Sequence, residues 1–253
     1  MPLDAAIETG LPARLRDIRL RLAEVQDPEV DESVVEMGFI ARIDERDGNV
    51  LIEFRLPTFW CSANFAYLMA EDMRSGIASL PWAGSVAIRL VDHFASEKIS
   101  RGVSEGRPFE TVFEDARGTL AEVRRTFLLK AFLGRQDALL SALIPERGVE
   151  ASLGLTMRDL HALAEGPHRL VASRYLSLRR QFGGPAGDDA PAISRTGGGT
   201  ILPGDFASYR RELRAALQAQ RANAELCKLQ LQVRYDPATN IANLERQMGH
   251  TDG

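Results

Sequence analysis

The side chains of this chain that could do chemistry centre on Leu56-Pro57-Thr58-Phe59-Trp60-Cys61-Ser62-Ala63-Asn64. Cys61 falls where a strand is expected to hand over to a helix. Free backbone N–H groups and the positive end of a helix dipole favour a thiolate there. Thiolate is the form that binds iron, zinc or a cluster. One cysteine cannot close a site, and Phe59, Trp60 and Phe65 could equally bury it as a small hydrophobe. The other cysteine, Cys227, is more than 160 residues away. It falls in the middle of an expected helix, so packing is its expected role.

Three further residues are candidates for the same chemistry. Asp27 and Glu29 could help a metal site or shape its entrance. The plainer and favoured reading is a helix-ending turn in which Asp27 bonds nearby amides. His93 is the best additional ligand candidate, because it follows a strand whose end would lie beside the Cys61 turn. A lone histidine is nonetheless more often structural than metal-bound. His161 and His168 flank Glu165-Gly166-Pro167 at a spacing that matches no metal motif. No Gly-x-x-x-x-Gly-Lys-Ser/Thr phosphate loop occurs, and Gly197-Gly198-Gly199 lacks the strand–turn–helix context of a dinucleotide loop.

The elements that must position these residues can be read from periodicity. Leu11, Leu15, Ile18, Leu22 and Val25 predict an amphipathic helix over Leu11–Val25, closed by Asp27-Pro28. Strands follow at Phe39–Asp44 and Asn49–Leu56, joined through Asp47-Gly48, a strong hairpin signal. A helix is expected over Phe65–Ile77 and a third strand over Val86–Val91. Phe109, Val112, Phe113, Ala116, Leu120, Val123 and Phe127 then form an apolar stripe. Helices are expected at Arg135–Leu143, Met157–Ala164 with Thr156 as N-cap, Arg169–Phe182 and Phe206–Val233, and a tail from Asp236. The fold class is therefore α+β: a small three-stranded sheet with two helices, followed by a mainly α-helical extension. The expected division is 1–103 for the α+β domain, 104–182 for a helical extension, 183–204 for a Gly/Pro-rich linker, and 205–253 for a long helix and tail.

Residues 1–103 carry 11 basic and 17 acidic side chains, a net −6, within a chain of net −4. That argues against binding a phosphate backbone through this region. Arg169, Arg174, Arg179 and Arg180 could face nucleic acid on a helix-turn-helix, but arginines at this spacing are more often a solvated face, and this is the weakest reading. No apolar run approaches the ~20 residues a membrane span needs. Met1–Thr9 does not read as a secretory signal. With only two cysteines, a reducing cytoplasm is the expected location.

Asp27-Pro28-Glu29-Val30, followed by Ser33-Val34-Val35-Glu36-Met37-Gly38-Phe39-Ile40, resembles the opening motif of the MIP18/DUF59-type family of iron–sulfur assembly proteins. That family reads Asp-Pro-Glu, then Ser-Ile/Val-Val-Asp/Glu-Leu-Gly into its first strand. Its next landmark is a Leu-Thr-x-Pro-x-Cys-Pro turn. Leu56 and Cys61 hold their places there, while Pro57, Phe59 and Ser62 replace the threonine and both prolines. Leu80-Pro81-Trp82-Ala83 matches a later Leu-Pro-Gly-Val segment. The resemblance spans roughly residues 11–95. It implies an accessory protein of metal-centre maturation without turnover chemistry of its own. Iron or an iron–sulfur cluster would be held, stably or in transit, through Cys61, with His93, Asp27 and Glu29 as further candidate ligands. The partners it implies are a client metalloenzyme, with multicomponent diiron monooxygenases as one client class, or the assembly machinery; a homodimer could complete the site. The competing reading is a metal-free protein–protein adaptor that keeps the fold and binds an enzyme complex through its helical extension.

Overall fold

A computed structural model of the chain describes residues 12–115 and 118–235. Leu11, Ala116, the Met1–Thr9 segment and the tail from Asp236 lie outside the described residues. The chain divides into two compact units, Met1–Arg124 with Ala222–Gly253, and Arg125–Arg221.

The first unit opens with α1 (Ala13–Glu24), which buries Ile18 and Leu22. β1 (Ile40–Arg46) and β2 (Asn49–Arg55) form the expected antiparallel hairpin, in register from Arg46↔Asn49 to Ile43↔Ile52. Its turn needs left-handed backbone at two positions, Asp47 at φ 51° and Gly48 at φ 88°. A Cβ on Gly48 would also fall 2.9 Å from the Trp82 carbonyl oxygen, so glycine is required there twice over. Val50, Ile52 and Phe54 alternate along β2 and all are buried.

A chain leaving β2 can pair in parallel with the next strand only after a crossover. That crossover is α2 (Ala63–Ala78), which buries Ala66, Tyr67, Leu68, Met69, Ala70, Met73 and Ile77. β3 (Val86–Val91) then lies parallel to β2, giving the sheet order β1-β2-β3. The expected α+β core is thus present, with one addition.

That addition is α3 (Ser96–Ser104), which covers the outer edge of β3. Edge strands leave N–H groups unpaired. Here the Ser100 hydroxyl accepts from the Leu90 N–H at 2.9 Å and the Ser104 hydroxyl from the Ile88 N–H at 3.4 Å. A short helix, α4 (Phe109–Val112), follows. From the C-terminal end of the chain, Ala224 and Leu231 join the same core.

The second unit is helical. α5 (Leu120–Arg147) is a single helix where a stripe and a separate Arg135–Leu143 helix were expected. α6 (Val149–Leu153), α7 (Met157–Leu163) and α8 (Arg169–Phe182) follow, and α9 (Phe206–Tyr235) comes last, after a 3₁₀ turn at Pro203–Asp205, its residues from Ala222 onward belonging to the first unit. Thr156 caps α7 in a reciprocal capping box with Asp159. Leu226 and Leu229 of α9, expected to pack, are 51% and 57% exposed. Among the described residues, no helix is long and apolar enough to cross a membrane.

Residues 183–204 correct the linker expectation. Ala192, Ile193, Ser194 and Ile201 are buried in the second unit's core. The glycines that suggest flexibility instead permit a close crossing: a Cβ on Gly184 would lie 2.5 Å from the Gly198 Cα. Arg179, only 1% exposed, holds the segment. Its guanidinium donates to the carbonyls of Ala192 (2.7 Å), Gly184 (3.4 Å), Pro185 (3.1 Å) and Pro191. Arg179 therefore cannot face nucleic acid, which removes one of the four arginines of the helix-turn-helix reading. Gln136 adds bonds to Tyr175 (2.9 Å) and the Ser194 carbonyl (2.8 Å).

Replacing Arg179 with Met leaves buried carbonyls without donors, each worth about 1–3 kcal/mol. Arg179→Met is expected to destabilise the second unit by at least about 3 kcal/mol and to open residues 183–204 to limited proteolysis. Denaturant titration and the mapped cleavage site check both.

Candidate thiol site

Parallel pairing of β2 and β3, matched up to Arg55↔Val91, brings the turns that leave the two strands to one edge of the sheet. The Leu56–Ser62 turn and the Asp92–Ala95 turn therefore meet. The Phe94 N–H donates to the Phe59 carbonyl at 3.1 Å. His93 Nε2 lies 2.8 Å from the Cys61 carbonyl, and the Ala95 N–H reaches His93 Nδ1 at 3.2 Å. Since Nδ1 accepts, Nε2 must carry the proton and donate.

His93 is thus beside Cys61, as the strand order suggested, but both ring nitrogens are engaged with backbone. It is 3% exposed, and burial is the main cause holding its pKa below the usual imidazole value. In this arrangement it braces the Cys61 turn as a neutral group and offers no lone pair to a metal.

Cys61 is free and partly buried against the first unit's core. The Thr58 hydroxyl lies 3.3 Å from its sulfur. Ser62 is the N-cap of α2 but makes no side-chain cap; its hydroxyl donates instead to Asn64 Oδ1, which accepts the Phe65 N–H at 2.9 Å. Around the thiol the surface is aromatic. Trp60 (75% exposed) stacks on Phe94 at 5.5 Å and meets Phe59 edge-on at 4.9 Å.

The Asp27 turn closes α1 as its plainer reading expected. Asp27 Oδ1 accepts the N–H groups of Glu29 (2.8 Å) and Val30 (3.0 Å). Burial nonetheless pushes its carboxyl up to about 6, against those amide bonds and with help from the charges of Glu29 and Glu32. Glu29 accepts from Asn223 Nδ2 at 3.0 Å. Lys228 pairs with Glu32.

These last contacts bring in the residue that sequence reasoning set aside. Cys227 lies one turn beyond Asn223 on α9 and packs against the same core as Cys61. Its thiol is pushed up to about 11, by burial first and then by the charges of Asp27, Cys61 and Glu29. Among the described residues, no three His, Cys, Asp or Glu side chains form a group that could hold a metal ion. The signal for Cys227 is weak in the sequence: it shares one helical face with Asn223, Leu231 and Arg234.

Residues 15–89 match a known family, described as iron–sulfur cluster assembly protein. The match takes in α1, the sheet hairpin, the Cys61 turn, α2 and the start of β3, and ties this segment to iron–sulfur cluster assembly. No curated protein and no solved structure matches the chain.

A Phe at position 93 keeps a ring but leaves the Cys61 carbonyl without its donor. His93→Phe should cost about 1–3 kcal/mol at pH 7.5. The unfolded chain protonates this histidine near 6.5 while the folded chain resists. The stability it contributes is therefore full above 6.5 and falls as pH drops toward the depressed folded value. The gap between wild type and His93→Phe should accordingly narrow from pH 7.5 to 5 in denaturant titrations; a constant gap would contradict the neutral brace.

Proposed function

With residues 15–89 forming a domain of the iron–sulfur cluster assembly family, we propose that this chain is an accessory protein of iron–sulfur or iron-centre maturation, delivering cargo through the Cys61 thiolate. The observation that carries this reading is the family match itself, with Cys61 seated on the turn between β2 and α2. Iron or an iron–sulfur cluster is the cargo, and a client metalloenzyme receives it. A multicomponent diiron monooxygenase is the client class proposed, and the cytoplasm the place of action.

Each neighbour of Cys61 then has a task. Thr58 orients the sulfur, and His93 fixes the peptide that carries it. Phe59, Trp60 and Phe94 form an exposed aromatic surface beside the thiol, on which a client face would exclude water during transfer. A metal-free adaptor is the second reading. It is favoured by the engagement of both His93 nitrogens and of the Asp27 carboxyl by backbone, which leaves Cys61 with fewer preformed co-ligands.

Anaerobic loading with ferrous iron and sulfide, followed by desalting, tests the leading reading. Cys61→Ser should retain less than about a tenth of the iron kept by wild type and lose client activation. Wild-type retention and activation in Cys61→Ser would leave the adaptor. Trp60→Ala with Phe94→Ala should weaken client binding by about tenfold or more while leaving iron retention intact, measured by calorimetry against the purified client.

A further inference from the structure

Arg234 sits in the last turn of α9, and its guanidinium bridges the ends of two strands. It donates to the Leu56 carbonyl, just past β2, at 3.2 Å and to the Asp92 carbonyl, just past β3, at 2.7 Å. Asp92 holds left-handed backbone at φ 56°, a conformation that a residue other than glycine keeps only where its surroundings hold it. Immediately after that corner come His93, on the Cys61 carbonyl at 2.8 Å, and Phe94, whose N–H reaches the Phe59 carbonyl at 3.1 Å. The Tyr235 ring carries the Arg55 guanidinium at 4.1 Å and the Arg234 guanidinium at 5.1 Å, which seats Arg234 at the strand ends. Named contacts therefore run without a gap from Arg234 through Asp92 and His93 to the peptide of Cys61.

We infer that Arg234 is a positioning residue of the Cys61 site, its forked guanidinium setting the Asp92 corner and thereby the peptide on which the thiol stands. This rests on the proposed role of Cys61 and goes beyond it, because Arg234 lies far outside the matched segment 15–89. The family segment is then completed, at its thiol, by the C-terminal end of α9. Two carbonyls from separate turns suit a planar guanidinium, which presents its N–H groups in a rigid fork, whereas an ammonium is a point charge on a flexible stem. The Asp92 carboxylate is a lesser partner, 3.8 Å from the guanidinium and 63% exposed. The position uses geometry more than charge, so lysine is no substitute for arginine here.

Amide hydrogen exchange, followed residue by residue by NMR in the reduced full-length protein, tests the bridge. In Arg234→Met and in Arg234→Lys, the N–H groups of Phe94 and Ala95 should exchange about tenfold faster or more, while those of β2 keep their wild-type rates. Iodoacetamide alkylation of Cys61, read by peptide mass spectrometry, should accelerate about fivefold or more in both variants, because the half-buried thiol gains freedom with its turn. Should Arg234→Met fail to fold, Arg234→Lys keeps the charge and most of the stem and carries the test alone. Wild-type exchange at Phe94 and Ala95 in Arg234→Lys overturns the inference, since charge alone would then suffice. Faster exchange with wild-type alkylation of Cys61 also overturns it, leaving Arg234 a brace of the backbone with no hold on the thiol. Neither readout involves iron, so wild-type iron retention in Cys61→Ser overturns the cargo reading and is told apart from a failure of the bridge.

Discussion

The arrangement around Cys61 depends on how a few backbone carbonyls at the end of a parallel strand pair find donors. Buried or half-buried carbonyls must be bonded somewhere, because leaving them dry costs as much as a lost hydrogen bond. Where β2 and β3 stop, the sheet no longer supplies partners. Leu56 and Asp92 take theirs from one guanidinium, Arg234. Phe59 takes the Phe94 N–H, and Cys61 takes the His93 imidazole. The two turns are thereby tied to each other and to α9, and the thiol inherits a fixed peptide.

Parallel pairing makes this possible. In an antiparallel hairpin, successive strand ends alternate between opposite edges, and residues 61 and 93 would be carried apart. A crossover through α2 brings β3 back in the same direction, with Arg55 matched to Val91, so the chain leaves both strands at one edge. Such an edge is where open sheets commonly place their sites. The other edge problem, the unpaired side of β3, is met by two serine hydroxyls of α3 in place of a fourth strand. A sheet of three strands can then keep its register without a partner along that edge.

Much of this was legible from sequence, and the reasons for the remainder are physical. Alternation over Val50–Phe54 and the Asp47-Gly48 turn specify the hairpin because both are local signals. α3 was missed because its sequence, SEKISRGVS, buries only Ile99, Gly102 and Val103, too few apolar residues to make a stripe. Its purpose is polar, and a serine that bonds a strand edge looks like any surface serine. Residues 183–204 misled for the opposite reason: glycines needed for a tight backbone crossing read as flexibility, while the buried Arg179 that holds them reads as a solvated charge. Cys61 was legible through its turn and the resemblance. Cys227 was legible as a packing residue, and it does pack against the first unit's core.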